Sequence, residues 1–218
     1  QLLRHSGRLA EAREMYTEAI SIAQHKKERR LEGMILTRLG WLSILQSLHD
    51  EAMDHFQNAL AIHREVGDRT SEGGTLGRMG WLYYRRGNIA EATEHYRQAL
   101  AIHREIGNRK AEGVQLGNMA LMLCEQGQVD EALGSYQRSL SIHREIGNRR
   151  AEADGMANLA ILHVQQGRFA EAMKHYKRGH SINKLVGNRR GEARVYGNLA
   201  SLFFEMGEFE KVREHHER

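Results

Sequence analysis

Three asparagines stand forty residues apart, Asn118, Asn158 and Asn198, and two arginines, Arg38 and Arg78, hold the same register before them. An asparagine amide presents an acceptor oxygen and N–H donors in one rigid plane, the complement of the N–H and C=O of an extended peptide backbone. An arginine instead grips a carboxylate through two parallel hydrogen bonds. Three residues beyond each lie Trp41, Trp81, Leu121, Ile161 and Ser201, with Tyr84 and Arg85 just after the second tryptophan. Trp and Arg are the types that dominate the energetic centres of protein interfaces. These rows fit the gripping of a polypeptide. For catalysis nothing assembles: the sequence holds no phosphate-cradling glycine loop and no nucleophile elbow, so no enzyme is expected.

Thirteen histidines invite a metal reading. His63, His103 and His143 recur at a spacing of forty residues, as does the set His55, His95 and His175 with one member absent. Stacked equivalents lie about 10 Å apart, too far to share an ion whose bonds are about 2 Å. No HExxH or CxxC accompanies them, and His215 and His216 close the sequence. The expectation is no metal and no cofactor, with the repeated histidines on a solvated helix surface and His163 a hydrogen-bonded core residue. The single cysteine, Cys124, excludes an internal disulfide and suits a reducing, cytoplasmic setting. No run approaches the roughly 18 apolar residues of a membrane helix.

A formal net charge of +4, despite 32 Lys and Arg, weighs against a dedicated nucleic-acid binder. Basic residues do recur at intervals, at Lys26, Lys27, Arg29, Arg30, Arg69, Arg109, Lys110, Arg149, Arg150, Arg189 and Arg190. They would form a ridge that either meets an acidic partner or RNA, or is offset by neighbouring glutamates. No aromatics are interleaved with them to stack bases.

These residues are placed by a repeat. Glu-Ala pairs at 11–12, 51–52, 91–92, 131–132 and 171–172 set a period of 40 without insertion. An aromatic follows each (Tyr16, Phe56, Tyr96, Tyr136, Tyr176), then an isoleucine, then Gly67, Gly107, Gly147 and Gly187. Each unit splits into two amphipathic helical patterns. In the third, the first helix is expected over about 110–126, Gly127 stops it, and the second runs from Val129 to about Ile146. Asn148 then caps the next helix, with Glu152 in its first turn. Such helices cannot bury their apolar faces alone and must stack. Pro is absent, so glycine and asparagine punctuate the chain.

The segment 118–140 resembles the tetratricopeptide repeat: Ala120 where helices cross, Gly127 at the turn, Ala132, Tyr136 and Leu140 in the core. The chain departs from the common form in its longer period and in lacking the proline that ends the second helix. The longer repeats are similar to those of Pins/LGN adaptors, kinesin light chains and bacterial signalling ATPases and kinases. The resemblance implies an all-α, right-handed superhelical solenoid over 1–218. Full repeats would span 28–67, 68–107, 108–147 and 148–187, with partial ones at 1–27 and 188–218, as in a fragment of a longer protein.

Face arithmetic at about 100° per residue puts Leu116, Met119, Ala120 and Leu123 on the buried stripe, and Gly117 and Asn118 away from it. Both are poor helix formers, costing about 1 and about 0.7 kcal/mol relative to Ala. The resemblance places their face in a concave groove, where small residues lower the floor. It also implies that Asn at this register contacts partner backbone. With helices about 10 Å apart and a ligand advancing about 3.3 Å per residue, one Asn would meet it every third residue. Alternatively the asparagines were copied with the repeat and touch solvent, and the tryptophans fill gaps between repeats. The expected groove is Arg38, Trp41, Arg78, Trp81, Tyr84, Arg85, Asn118, Leu121, Asn158, Ile161 and Asn198. Its occupant is an extended protein segment carrying acidic and bulky apolar residues at the N-terminal end, in an adaptor or scaffold role. The alternatives are a regulatory array within a larger ATPase or kinase, and an acidic or nucleic-acid partner on the basic ridge. Self-association through exposed ends is a further expectation; a membrane partner is not.

Overall fold

The computed structural model describes residues 2–208, with side chains from residue 8; His215 and His216 lie outside the described residues. Ten helices follow one another: α1 (Leu2–His25), α2 (Arg29–Leu45), α3 (His49–Glu65), α4 (Arg69–Arg85), α5 (Ile89–Glu105), α6 (Arg109–Glu125), α7 (Val129–Glu145), α8 (Arg149–Gln165), α9 (Phe169–Leu185) and α10 (Arg189–Glu205). They form two compact units, Gln1–Asn108 and Arg109–Arg218. The first helix of the third repeat, expected over 110–126, runs 109–125. No helix among the described residues is long and apolar enough to cross a membrane.

The regularity is finer than the forty-residue repeat. A residue with left-handed backbone recurs every twenty positions: Lys27 and Ser47, then Gly67, Gly87, Gly107, Gly127, Gly147, Gly167, Gly187 and Gly207. At each such position the chain leaves one helix and starts the next. Gly67 N–H donates to the Arg64 carbonyl (3.2 Å) and Asp68 N–H to the His63 carbonyl (2.8 Å), the paired bonds of a Schellman stop. Asp68 then starts α4, its side chain accepting from Ser71 N–H. Asn148 and Asn188 cap α8 and α10 in the same way. The left-handed residue every twenty positions keeps every helix from α2 onward at 17 residues, while α2, α3, α5, α7 and α9 start without a side-chain cap.

Within each unit, successive helices pack antiparallel, and each second helix also packs on the first helix of the following pair: α3 on α2 and α4, α7 on α6 and α8. Phe56, Leu76, Met79 and Leu82 sit in one core, and Tyr136, Leu140, Met156 and Leu159 in another. The double packing buries more of each helix than one stripe. Leu82, Met122 and Leu162, off the expected stripe, are fully buried.

It also overturns the placement of the repeated histidines. His63, His103 and His143 are not on a solvated surface but 0, 2 and 4% exposed. Each imidazole fills the space that a glycine on the preceding helix leaves open. A methyl group on Gly73 or Gly113 would lie 2.8 Å from Cε1 of His103 or His143. His63 Nε2 meets the Thr37 hydroxyl at 3.1 Å, and Nδ1 of His63 and of His143 has no partner. Burial lowers the pKa of all three. His163 is buried as expected, yet its neighbour is the stacked ring of His175 (centroids 5.4 Å apart), and its Nδ1 makes no hydrogen bond.

Part of the basic ridge is spent on the scaffold: Arg29, Arg30, Arg69, Arg109 and Arg149 are held in ion pairs. Arg69 bridges Glu72 and Glu105 at 2.5 Å each, and Glu72 also accepts from Arg64 at 3.0 Å. Arg109 pairs with Glu112 and Glu145, and Glu152 is held by Arg144 and Arg149. Burial alone would raise the Glu152 pKa, but the hydrogen bonds and charges of Arg149 and Arg144 outweigh it and leave the carboxyl below its ordinary range.

Candidate functional site

The side of each first helix turned from its partner carries the residues singled out in the sequence. In the N-terminal unit α2 presents Leu31, Met34, Arg38, Trp41 and Leu45 as one exposed stripe, since these positions recur every three or four residues. Trp41 is 44% and Leu45 55% exposed, so neither is a core residue. Trp81 on α4 is half-buried against the core, and its ring centroid lies 5.9 Å from that of Trp41. The Arg85 guanidinium sits 5.6 Å from the Trp81 centroid, within cation–π range. Arg38 and Arg78 are both exposed, and Tyr84 is half-buried. Arg78 donates to the Gly74 carbonyl at 3.0 Å. Its pKa is lowered, chiefly by its enclosed setting and then by the neighbouring charge of Arg38. None of Arg38, Arg78 and Arg85 forms an ion pair with a described carboxylate.

In the second unit the same stripe reads differently. Asn158 is exposed, Asn118 and Asn198 are half-buried, Leu121 is half-buried and Ile161 is 41% exposed. The Asn118 amide donates weakly to Gln115 Oε1 at 3.3 Å. Asp154 of α8 and Arg194 of α10 form an ion pair, so the charges of this stripe are internally matched. The structure therefore brings Trp41, Trp81, Arg38, Arg78 and Arg85 to one face, and sets Asn118, Asn158 and Asn198 along the equivalent face of the other unit.

The small residues beside the asparagines divide. Gly77 and Ala157 are buried, a methyl group on Gly117 would meet Ser139 Oγ at an ordinary 3.5 Å, and one on the exposed Gly197 would meet nothing within 4 Å. Ser139 Oγ reaches across to donate to the Gly113 carbonyl at 2.7 Å. Met34, exposed and in line with Trp41, was not among the expected groove residues; its spacing of seven residues from Trp41 was the available sign.

The family model of the tetratricopeptide repeat matches residues 1–65, 43–105 and 114–184. The chain belongs to the tetratricopeptide repeat family. No curated protein matches it. Among solved structures, BtubC from P. vanneervenii is similar at TM-score 0.80 and 20% identity, over 96% of this chain and 87% of that one. A Rap protein complexed with competence and sporulation factor is similar at TM-score 0.76 and 19% identity, over 86% of this chain and 53% of that one. A third neighbour is the signal-transduction ATPase PH0952 from Pyrococcus horikoshii, a protein with a tetratricopeptide repeat sensor. It has TM-score 0.73 and 16% identity, over 86% of this chain and 29% of that one. These likenesses are of fold. The tetratricopeptide repeat accounts for the helix pairs and the small residues at their crossings.

Proposed function

We propose that this tetratricopeptide repeat chain is a protein-binding module, an adaptor or scaffold that holds an extended segment of a partner against the exposed stripes of its first helices. The observation that carries this reading is the cluster on α2 and α4: two exposed or half-exposed tryptophans beside three guanidiniums without carboxylate partners. Unpaired guanidiniums next to apolar rings fit a segment that brings both carboxylates and bulky apolar side chains. In the second unit, the outward amides of Asn118, Asn158 and Asn198 fit a ligand's backbone, whatever its side chains. Two Rap-protein neighbours are complexes, one with competence and sporulation factor and one with a Phr* peptide, which supports a peptide-holding role for the fold. Exposed Met15 and Ile22 on α1 support self-association of copies as a secondary property.

A second reading, a sensor array within a larger signalling protein, draws on the PH0952 neighbour, whose repeats serve as a sensor. A pull-down separates the readings. The wild-type chain is compared with Asn118→Ala/Asn158→Ala and with Trp81→Ala, each checked by thermal melt. The module reading expects a partner retained by wild type and weakened by both variants at preserved helicity. Equal retention by all three chains contradicts it.

A further inference from the structure

The second helices differ sharply in charge, and the difference is not shared by the stripes described above. Counting equivalent windows, residues 48–70 carry a net −3, residues 88–110 and 128–150 each +1, and residues 168–190 a net +6. The last window holds Arg168, Lys174, Lys177, Arg178, Lys184, Arg189 and Arg190 against Glu171 alone, so the remainder of the chain sums to −2. Among the described residues none of these seven cations forms an ion pair. Lys174, Lys177, Arg178 and Lys184 are exposed on α9.

The geometry says why. At earlier junctions the Arg–Glu lattice neutralises its own charge: Arg29 pairs with Glu32 and Glu65, Arg69 with Glu72 and Glu105, Arg109 with Glu112 and Glu145. The glutamate equivalent to Glu65, Glu105 and Glu145 is Leu185 at the end of α9, 80% exposed, so Arg149 of α8 has no carboxylate at that position to pair with. Lys184 and Arg189, the equivalents of Arg64 and Arg69, form no ion pair with Glu192. With the lattice unmade, an open cleft of about 510 Å³ remains, lined by Lys184, Arg189, Glu192 and Tyr196 among others.

We infer that α9 and the α9–α10 cleft form a second docking surface, for an acidic protein segment that carries apolar side chains. Charge complementarity sets the sign of the partner. Leu185 sets its class: an exposed leucine beside Lys184 offers nothing to a phosphate backbone but meets the apolar side chain of a peptide. The aromatic residues near this surface also disfavour base stacking, because Tyr176 is buried and Phe169 and Tyr196 are half-buried. This surface lies on α9 and the start of α10, includes none of the residues of the first-helix stripes, and stands or falls separately from them.

The test uses the whole chain and three fluorescent probes: a synthetic peptide of Glu and Asp interspersed with Leu and Phe, an oligothymidine of equal charge, and vesicles containing phosphatidylserine. Binding is read at about 50 and about 200 mM salt. The expected order is peptide tighter than either alternative. Lys177→Glu/Arg178→Glu/Lys184→Glu weakens the peptide at least about tenfold, Leu185→Ser about fivefold without changing the oligothymidine, and Arg97→Ser/Arg138→Ser, at exposed positions of α5 and α7, leaves the peptide unchanged. A melt confirms folding, and Lys177→Gln/Arg178→Gln replaces the reversal variant if that variant fails to fold. Tighter binding to the oligothymidine or the vesicles, no peptide binding at low salt, or equal peptide affinity of wild type and the α9 variants overturns the proposal.

Discussion

The two units share a scaffold and differ on its exposed first-helix face. In the N-terminal unit α2 and α4 display Leu31, Met34, Arg38, Trp41, Leu45, Arg78, Trp81 and Arg85. In the second unit α6, α8 and α10 display Asn118, Asn158 and Asn198 among Leu121, Ile161 and Ser201, with Asp154 and Arg194 paired to each other. Beneath these faces the same wedge recurs, His63 on Gly33, His103 on Gly73 and His143 on Gly113. The lesson is one of separated duties. Residues that touch the partner helix repeat because packing demands it, whereas the exposed stripe is free to vary. Tryptophans and exposed arginines collect in one unit and asparagines in the other.

The largest effect that would break this contrast is the loss of an anchor. Trp41→Ala removes an exposed ring, so partner affinity falls by about 2 kcal/mol, roughly thirtyfold, while stability changes by less than about 1 kcal/mol. Trp81→Ala costs binding as much and stability more, because its ring also packs on the core. Calorimetric titration beside a thermal melt separates the two; a Trp41→Ala chain that melts early but binds normally would make the tryptophans structural.

The scaffold itself carries a smaller asymmetry. A methyl group on Gly40 would lie 2.6 Å from Phe56 Cε1, and one on Gly80 3.0 Å from Tyr96 Cδ1. The second unit already holds Ala120 and Ala160 at this position, beside Tyr136 and Tyr176. Gly40→Ala is expected to destabilise by about 1–3 kcal/mol through overpacking, and Gly80→Ala by less, measured by denaturant titration. Equal tolerance at both sites would show that the crossing in the N-terminal unit is no tighter.

Replacing the amides tests the other side of the contrast. Asn118→Ala/Asn158→Ala should lower affinity by about 1 kcal/mol per site. Stability should hold or rise, since Ala exceeds Asn in helix propensity by about 0.7 kcal/mol. A marked fall in melting temperature would make these asparagines structural.

The smallest effect is with acid. Burial lowers the pKa of His63 and His103 in the first unit and of His143, His163 and His175 in the second. The unfolded chain therefore binds more protons once pH falls below about 6.5. Their stabilisation is fully present above that value and is lost as pH falls toward the folded-state pKa values. Glu152, lowered by its arginines, adds a loss only below the ordinary carboxylate range. Both tryptophans lie in the first unit, so indole fluorescence reports that unit and circular dichroism reports both. With three such histidines against two, the second unit should lose more, and the dichroism midpoint should fall further between pH 7 and pH 5 than the fluorescence midpoint. Coincident shifts would deny the difference.

Much of this was legible in the sequence. The repeat placed the helices to within a residue, Gly127 and its equivalents marked the turns, and Asn148 capped α8 as its type and position suggested. What was not legible came from packing between repeats. A single helical stripe was counted, but each helix touches two neighbours, so Leu82, Met122 and Leu162 became core and His63, His103 and His143 went inside. The sequence gives no local reason for Gly33, Gly73 and Gly113 in mid-helix, because that reason is a ring thirty residues later. That glutamates offset the basic ridge was legible, but the individual partners were not, since Arg29 finds Glu65 only once α2 and α3 lie antiparallel. At the candidate site, type and register identified the tryptophans and asparagines as surface residues, while the burial of Gly77 and Ala157 beside that face came from packing.

The most direct measurement is site-specific photo-crosslinking to the partner segment retained in the pull-down. A photoreactive residue is placed in turn at the exposed positions Leu45, Ile161 and Ser201 of the first helices, and at Gln57, Arg97 and Gln137 of the second helices. The account predicts crosslinks from the first three positions and none from the last three. Crosslinks from α3, α5 and α7 with none from α2, α8 and α10 would contradict it.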